Sequence, residues 1–436
     1  MRGRPFLFAQ GATSAPISGG LPDKHVHRVD RVVHRVHYGE LAGETPLQST
    51  FPLGTSGQAV EWAVLVECAS PECNPQRLSD LLRRKPDWSV LISLAEEHGV
   101  LMLLAERVLG GQESSVPQEV QQKLEEKRRA LLLFTYSLMA ELFRALESFR
   151  AAGVEALAVK GPALSARAYG DASMRRYEDA DLLVRQRDVA RFTELMTAYG
   201  YEPKVPLNAI AAGKVPGEYV FRWPNTNRRI ELHTEQTLRY FPRPLPVEGF
   251  FKRKIVLSFD AHTVPALCAE DELLLNCIHS AKHFWERFMW IADVAALVSR
   301  QKNLDWDRAF LTARQVGAER MLCLGLLLAA ETFQIKLPEE IERAIRSDQG
   351  AQRLATEIMR RLPSVRFARR TILERASFRV RMRGALLPGL SYLLRLTLSS
   401  TEEDWAGNGK KERIGLLTAL RRPLRLARKY RRESSD

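Results

Sequence analysis

The chain has 436 residues, of which 45% are hydrophobic and 27% charged, a composition that fits a globular protein of two or three domains and excludes a low-complexity or collagen-like chain. Its five cysteines (Cys68, Cys73, Cys268, Cys277, Cys323) are odd in number and lack paired metal-ligand spacing, which argues against a disulfide framework and for a reducing, cytoplasmic setting. The formal charge of +13 is local: residues 353–436 carry 21 Lys and Arg against 8 Asp and Glu, and residues 1–352 balance at 44 against 44.

Residues 1–57 are rich in Gly, Pro, Ser and Thr and hold four histidines, His25, His27, His34 and His37, at no compact metal spacing; they read as a disordered leader. No secretory core stands at the N-terminus and no apolar run approaches the ~20 residues that span a bilayer. Residues 58–152 read as an N-terminal helical region. Its longest element is one helix over 117–152, with Pro117 in the first turn and Gly153 as the stop.

The pattern then switches. VEALAV (Val154 to Val159) is a short strand closed by Lys160, Gly161 and Pro162 and followed by a helical ALSARAY. DADLLV (Asp179 to Val184) is a second strand, after which Asp188 is placed to cap a helix ending at Gly200. EYVFRW and RRIELHTE, separated by PNTN, make a hairpin over 218–235. Together residues 153–265 form an α/β core. Residues 266–350 are helical again, with DELLLNCIHSAKHFWERFMWIADVAALV as the best-defined element. Residues 351–436 form a basic helical region, whose charge is either a set of solvated helix faces or a contact for anionic lipid, and whose amphipathic runs include LLPGLSYLLRL.

Asp179 and Asp181 carry the chemistry. Two residues apart on a strand, they share a face and repel unless positive charge lies between them. If the second strand of the hairpin pairs with DADLLV, Glu231 becomes a third carboxylate, with His233 on the same face. Three such carboxylates make an oxygen-rich site suited to Mg²⁺, and two ions ~3.5 to 4 Å apart would serve phosphoryl transfer. Lys160 and Gly161 stand at the mouth of a helix, where free N–H groups favour a triphosphate, and Arg175 is near enough in sequence to reach the same phosphates.

On the later helix, His279, His283, Glu286, Trp290 and Asp293 fall in one stripe. The two histidines either line the nucleotide or acceptor pocket or hydrogen-bond structurally, to Asp293 or to backbone. Zinc is disfavoured, because no Glu follows the first histidine and no remote ligand is evident.

AVKGPALSARAY, MRRYEDADLLV, Gly200-Tyr201, IELH and HSAKHFWERFMWIADVAALV, taken in order, resemble the uncharacterised bacterial nucleotidyltransferases of the DNA polymerase beta-like superfamily; the likeness runs from about Ala59 to the C-terminal RRPLRLARKY. The resemblance implies an α+β fold, a small mixed-sheet, palm-like nucleotidyltransferase domain flanked by N-terminal and C-terminal helical regions. It also implies transfer of a nucleoside monophosphate from a nucleoside triphosphate to a hydroxyl acceptor, with pyrophosphate released. Asp179, Asp181 and Glu231 match the metal-binding carboxylates and Gly161 the phosphate-loop glycine. Pro162 departs from the Ser or Gly that the broader superfamily places after that glycine, which leaves an alternative: a catalytically degenerate nucleotide- or partner-binding protein, accessory to glycan assembly at the membrane surface. Nucleic acid ranks low as a partner, since the positive charge lies away from the acidic centre and no aromatic-rich RNA motif is present.

Overall fold

The computed structural model describes residues 59–111, 116–211, 217–224, 226, 228–238, 241, 243–363 and 370–398. The His-rich leader and the basic tail beyond residue 398 lie outside these residues.

Four short helices, Ala59–Ala69, Pro75–Arg83, Trp88–Glu97 and Leu101–Gly110, lead into the long helix Gln118–Ala151. Asn74 and Asp87 cap the second and third by accepting two backbone N–H bonds each, which satisfies donors the first helical turn leaves open. The long helix buries Thr135, Leu138, Leu142, Ala145 and Phe149, a three-to-four spacing that keeps one face on the sheet.

The sheet has seven strands: β1 Leu157–Val159, β2 Ala180–Leu183, β3 Glu202–Pro203, β4 Glu218–Arg222, β5 Arg229–His233, β6 Ile255–Phe259 and β7 His262–Ala266, in the order β3-β4-β5-β2-β1-β7-β6. The pairs β2·β5 and β1·β7 are parallel and the others antiparallel. The mixed sheet with helices around it is the α+β architecture the sequence implied.

Period-2 alternation assigns the two faces of the sheet to different cores. Ala158, Ala180, Leu182, Ile230 and Leu232 pack with Leu138, Leu142 and Phe149 of the long helix and Phe192 of helix Val189–Ala198. Leu157, Val159 and Leu183 face the other way, into a core shared by the N-terminal helices and by helices Ala269–Lys282, Met289–Arg300 and Glu319–Phe333. Asp181, Glu231 and His233 alternate with the first set, so they are directed to the side of these later helices.

Two local expectations are corrected. Asp188 makes no side-chain cap; it sits in a 3₁₀ turn, Gln186–Asp188, ahead of helix Val189–Ala198. The run from Glu270 to Val298 is not one helix. It breaks between Lys282 and Met289, where Phe284 and Trp285 adopt φ of 60° and 54°, a costly conformation for bulky residues. Core packing outweighs helix propensity here: both rings are buried, and Trp285 lies so close to Gly325 that a Cβ there would meet the ring at 3.0 Å and clash with Cys277 Sγ.

Helices Ile372–Arg381 and Leu386–Leu398 end the described chain. Leu386, Leu387, Leu390 and Leu394 project from the last helix into solvent. Among the described residues no helix is long and apolar enough to cross a membrane.

Candidate active site

The register of three strands builds the site. Asp181 lies opposite Glu231 across the parallel β2·β5 pair and opposite Val159 across the antiparallel β1·β2 pair. Lys160, next after Val159, is therefore delivered beside Asp181, and His233, two residues after Glu231, lies on the same face. A ligand atom from each of Asp181, Glu231 and His233 falls within 4.8 Å of the others.

Asp181 Oδ1 accepts from Lys160 Nζ at 3.3 Å and interacts with His233 Nε2 at 2.7 Å. Burial alone would raise the Asp181 pKa, but Lys160 and His233 overcome it and hold the carboxyl well below its usual range. For His233 burial pulls the other way from Asp181 and Glu231, and the two carboxylates prevail, so its imidazole holds its proton more tightly than usual. Glu231 is pushed up to about 7, by burial first and by the neighbouring Asp181 and Glu218 next.

Asp179 stands one residue ahead of β2 and outside the tight cluster. Burial and the charge on Asp181 raise its pKa, and Arg229 Nη2 lies 3.8 Å from its Oδ2. The two aspartates therefore interact as the sequence suggested, while the third group in direct contact is His233.

The turn after β1 is strained for a purpose of position. Lys160 has φ 56° and Gly161 φ 46°, the latter where only glycine is at ease. Helix Gly161–Tyr169 follows, with Pro162 in its first turn, where a missing N–H is tolerated. Lys160 N donates to Glu272 Oε1 at 2.9 Å, which ties the turn to helix Ala269–Lys282. Burial pushes Glu272 up to about 7 against the pull of Arg167 and Lys160.

Arg175, expected to reach the phosphates, is engaged in a buried ion pair. Its Nε donates to Asp293 Oδ2 at 2.8 Å, both groups are buried, and Tyr169 Oη donates to Asp293 Oδ1 at 2.9 Å. A buried carboxylate so satisfied has no need of a histidine, so the proposed bond from His279 or His283 to Asp293 is replaced by these two partners. Arg175 still contributes to the cavity wall.

That cavity, about 520 Å³, is lined by the carboxylates, Lys160, His233 and, opposite them, His279, His283 and Trp290. The three rings cluster with centroids 4.7 to 5.7 Å apart. The helix break brings this about, returning Trp290 to the histidines across the turn. Burial and the nearby Lys160 hold His279 neutral, well below its ordinary pKa. Glu286 also borders this cavity and lies 3.9 Å from Arg370.

A model of a family described as uncharacterised nucleotidyltransferases matches residues 84–334, more than half of the chain. The chain belongs to this family. It is thus a nucleotidyltransferase enzyme, and the matched segment contains Lys160, Asp179, Asp181, Glu231, His233, His279 and His283. No curated protein matches the chain.

Several neighbours of the nucleotidyltransferase site were not visible in the sequence: Glu218, whose Oε1 accepts from Lys282 Nζ at 2.9 Å, and Arg229 beside Asp179. For Arg229 the hairpin register itself was a signal, since the residue two before Glu231 shares its face.

Proposed function

We propose that this nucleotidyltransferase moves a nucleoside monophosphate from a nucleoside triphosphate to a hydroxyl acceptor in a Mg²⁺-dependent reaction. The observation that carries this is the in-register pairing of Asp181 with Glu231 beside the Lys160–Gly161 turn, in one cavity.

The donor set fits a hard dication. Asp179, Asp181 and Glu231 supply carboxylate oxygens, the ligand type Mg²⁺ prefers, and Lys160 and His233 balance Asp181 at Oδ1, so a dication there would take over charge that these two groups neutralise. These three carboxylates would hold the metal, one ion or a pair, with His233 orienting Asp181. Bound there, Mg²⁺ would supply electrostatic stabilisation of the charge that develops on the transferred phosphate and on the pyrophosphate.

The chain's own groups do the rest. Lys160 and the open N–H groups of helix Gly161–Tyr169 receive the triphosphate tail. His279, His283 and Trp290, neutral and ring-shaped, form the wall on which the nucleoside rests. The acceptor oxygen forms a bond to the α-phosphorus, the bond from that phosphorus to the bridging oxygen of the β-phosphate breaks, and pyrophosphate leaves. The hydroxyl proton passes to a carboxylate of the site, for which Glu231 is the nearest in register to Asp181.

A thermal-shift screen of the four nucleoside triphosphates with and without Mg²⁺ tests this reading. Metal-dependent stabilisation by at least one of them is expected; no shift at millimolar nucleotide would refute it.

A second reading concerns attachment to a surface. Leu386, Leu387, Leu390 and Leu394 form one apolar stripe on helix Leu386–Leu398, in the part of the chain that holds the excess of Lys and Arg. Apolar and cationic groups together suit a membrane of anionic lipid. Flotation with phosphatidylglycerol vesicles should be lost in Leu387→Glu/Leu390→Glu, and equal flotation of that variant would remove this reading.

A further inference from the structure

A second cavity, about 510 Å³, is lined by Arg176, Arg222 and Arg229 with Glu178 and, on the apolar side, Leu131 and Phe134. It shares Arg176 and Glu178 with the carboxylate cavity, so the two are neighbours.

Its charges are unbalanced. Arg222 and Arg229 lie directly opposite each other in the antiparallel β4·β5 register, an arrangement of like charges that destabilises a sheet. Arg176 Nη2 at 3.1 Å, Arg229 Nη2 at 3.6 Å and Arg287 Nη1 at 3.9 Å all turn to Glu178, and Arg229 Nη2 also lies 3.8 Å from Asp179 Oδ2, so two carboxylates face three guanidinium groups. Glu202 stands in register with Arg222 on its other side, yet among the described residues the two form no ion pair. A forked guanidinium pair with surplus positive charge matches a phosphate or carboxylate.

Position assigns the role. The Lys160–Gly161 turn lies on the β1 side of Asp181, and Arg229 and Arg222 lie on the β5·β4 side. In-line displacement puts the attacking and leaving oxygens on opposite sides of the phosphorus. With pyrophosphate leaving toward the turn, the acceptor enters from the arginines, past Arg229 at the edge of Asp179.

We propose that the second cavity is the acceptor site, and that the acceptor is a small hydroxyl compound carrying a phosphate or carboxylate group held by Arg176, Arg222 and Arg229. This rests on the donor reading given above. The cavity volume is that of a small-molecule site. The anionic group is not consumed; it anchors the molecule whose hydroxyl attacks.

Calorimetric titration of the full chain, loaded with Mg²⁺ and a non-hydrolysable nucleoside triphosphate analogue, tests the assignment. The probes are glycerol 3-phosphate, glycerate and uncharged glycerol. Binding of at least one anionic probe and not of glycerol is expected. That binding should weaken about tenfold or more in Arg222→Glu, a change of ~1.4 kcal/mol, with analogue affinity retained. Thr226→Glu, which adds a negative charge to the cavity wall and removes no arginine, should weaken it likewise. Equal binding of anionic and neutral probes, or anionic binding that neither variant alters, overturns the assignment. Preferential labelling of an oligoribonucleotide over small anionic hydroxyl compounds in a transfer assay overturns it as well. A protein that fails to take the analogue at all refutes the donor reading instead, and the analogue titration alone reveals that.

Discussion

Asp181 and Glu231 face each other in register across two parallel strands, with Lys160 Nζ 3.3 Å and His233 Nε2 2.7 Å from the same aspartate oxygen. Neutralising Asp181 removes the centre of this arrangement. Asp181→Asn is expected to lower pyrophosphate release by roughly 100-fold or more, as losing a transition-state electrostatic contact does, while circular dichroism stays unchanged. Turnover within a few-fold of the parent would contradict the role given to this residue.

Lys160 holds a backbone conformation that glycine adopts freely, with φ 56° and ψ −142°. Lys160→Gly should relieve about 1 kcal/mol of backbone strain but strip the buried Asp181 of its ammonium partner, so the fold should be less stable overall, and nucleoside triphosphate binding should weaken because the amine is lost. Denaturant melts and nucleotide titrations read the two effects separately. A variant as stable as the parent that binds normally would reverse both expectations.

The buried Arg175–Asp293 pair is fully enclosed and shares Asp293 with Tyr169. Asp293→Ala strands the guanidinium and should cost about 3 to 5 kcal/mol. Arg175→Met with Asp293→Leu removes both charges and should recover much of that loss. Urea melts of the single and double variants decide, and a double variant as unstable as the single one would show that the pair's charges are not the cause.

Glu272 gives a pH signature. Its Oε1 accepts from Lys160 N, its Oε2 is buried with no hydrogen-bond partner among the described residues, and its carboxyl is pushed from 4.5 up to about 7. A raised carboxyl pKa means the folded state holds a proton that the unfolded state has released. The group's contribution to stability is then fully present below pH 4.5, falls between pH 4.5 and 7, and is level above. The swing is up to about 3 kcal/mol. Glu272→Gln, which keeps the acceptor oxygen, should melt above the parent at pH 8 and match it near pH 5. A constant offset across that range would exclude Glu272 as the source.

Much of the sheet was legible because its signals are local. DADLLV and the IELH strand alternate as half-buried strands do, and the PNTN turn fixed their hairpin partner. Once β5 lay beside β2, Glu231 had to oppose Asp181. The edge strands β3 and β6, and β7 beside the latter, were missed, being short or polar on the exposed side. Long-range burial decided the rest: Arg175 found Asp293 118 residues away, and the helix expected to run through Phe284 and Trp285 broke so that both rings could enter the core. Period alone carries neither fact. The stripe of His279, His283 and Trp290 was read from a helix that does not run unbroken, yet the three rings do meet, brought together by the turn.

The hydrogen bond from Lys160 N to Glu272 Oε1 joins residues 112 positions apart. On a ribosome the strands that bear the carboxylates emerge well before the helix that secures the turn next to them. A nascent chain halted ahead of residue 272 would hold all three acids and still lack the brace for the Lys160–Gly161 turn. Competence therefore arrives late in synthesis, and nucleotide capture by a stalled chain series would time that arrival.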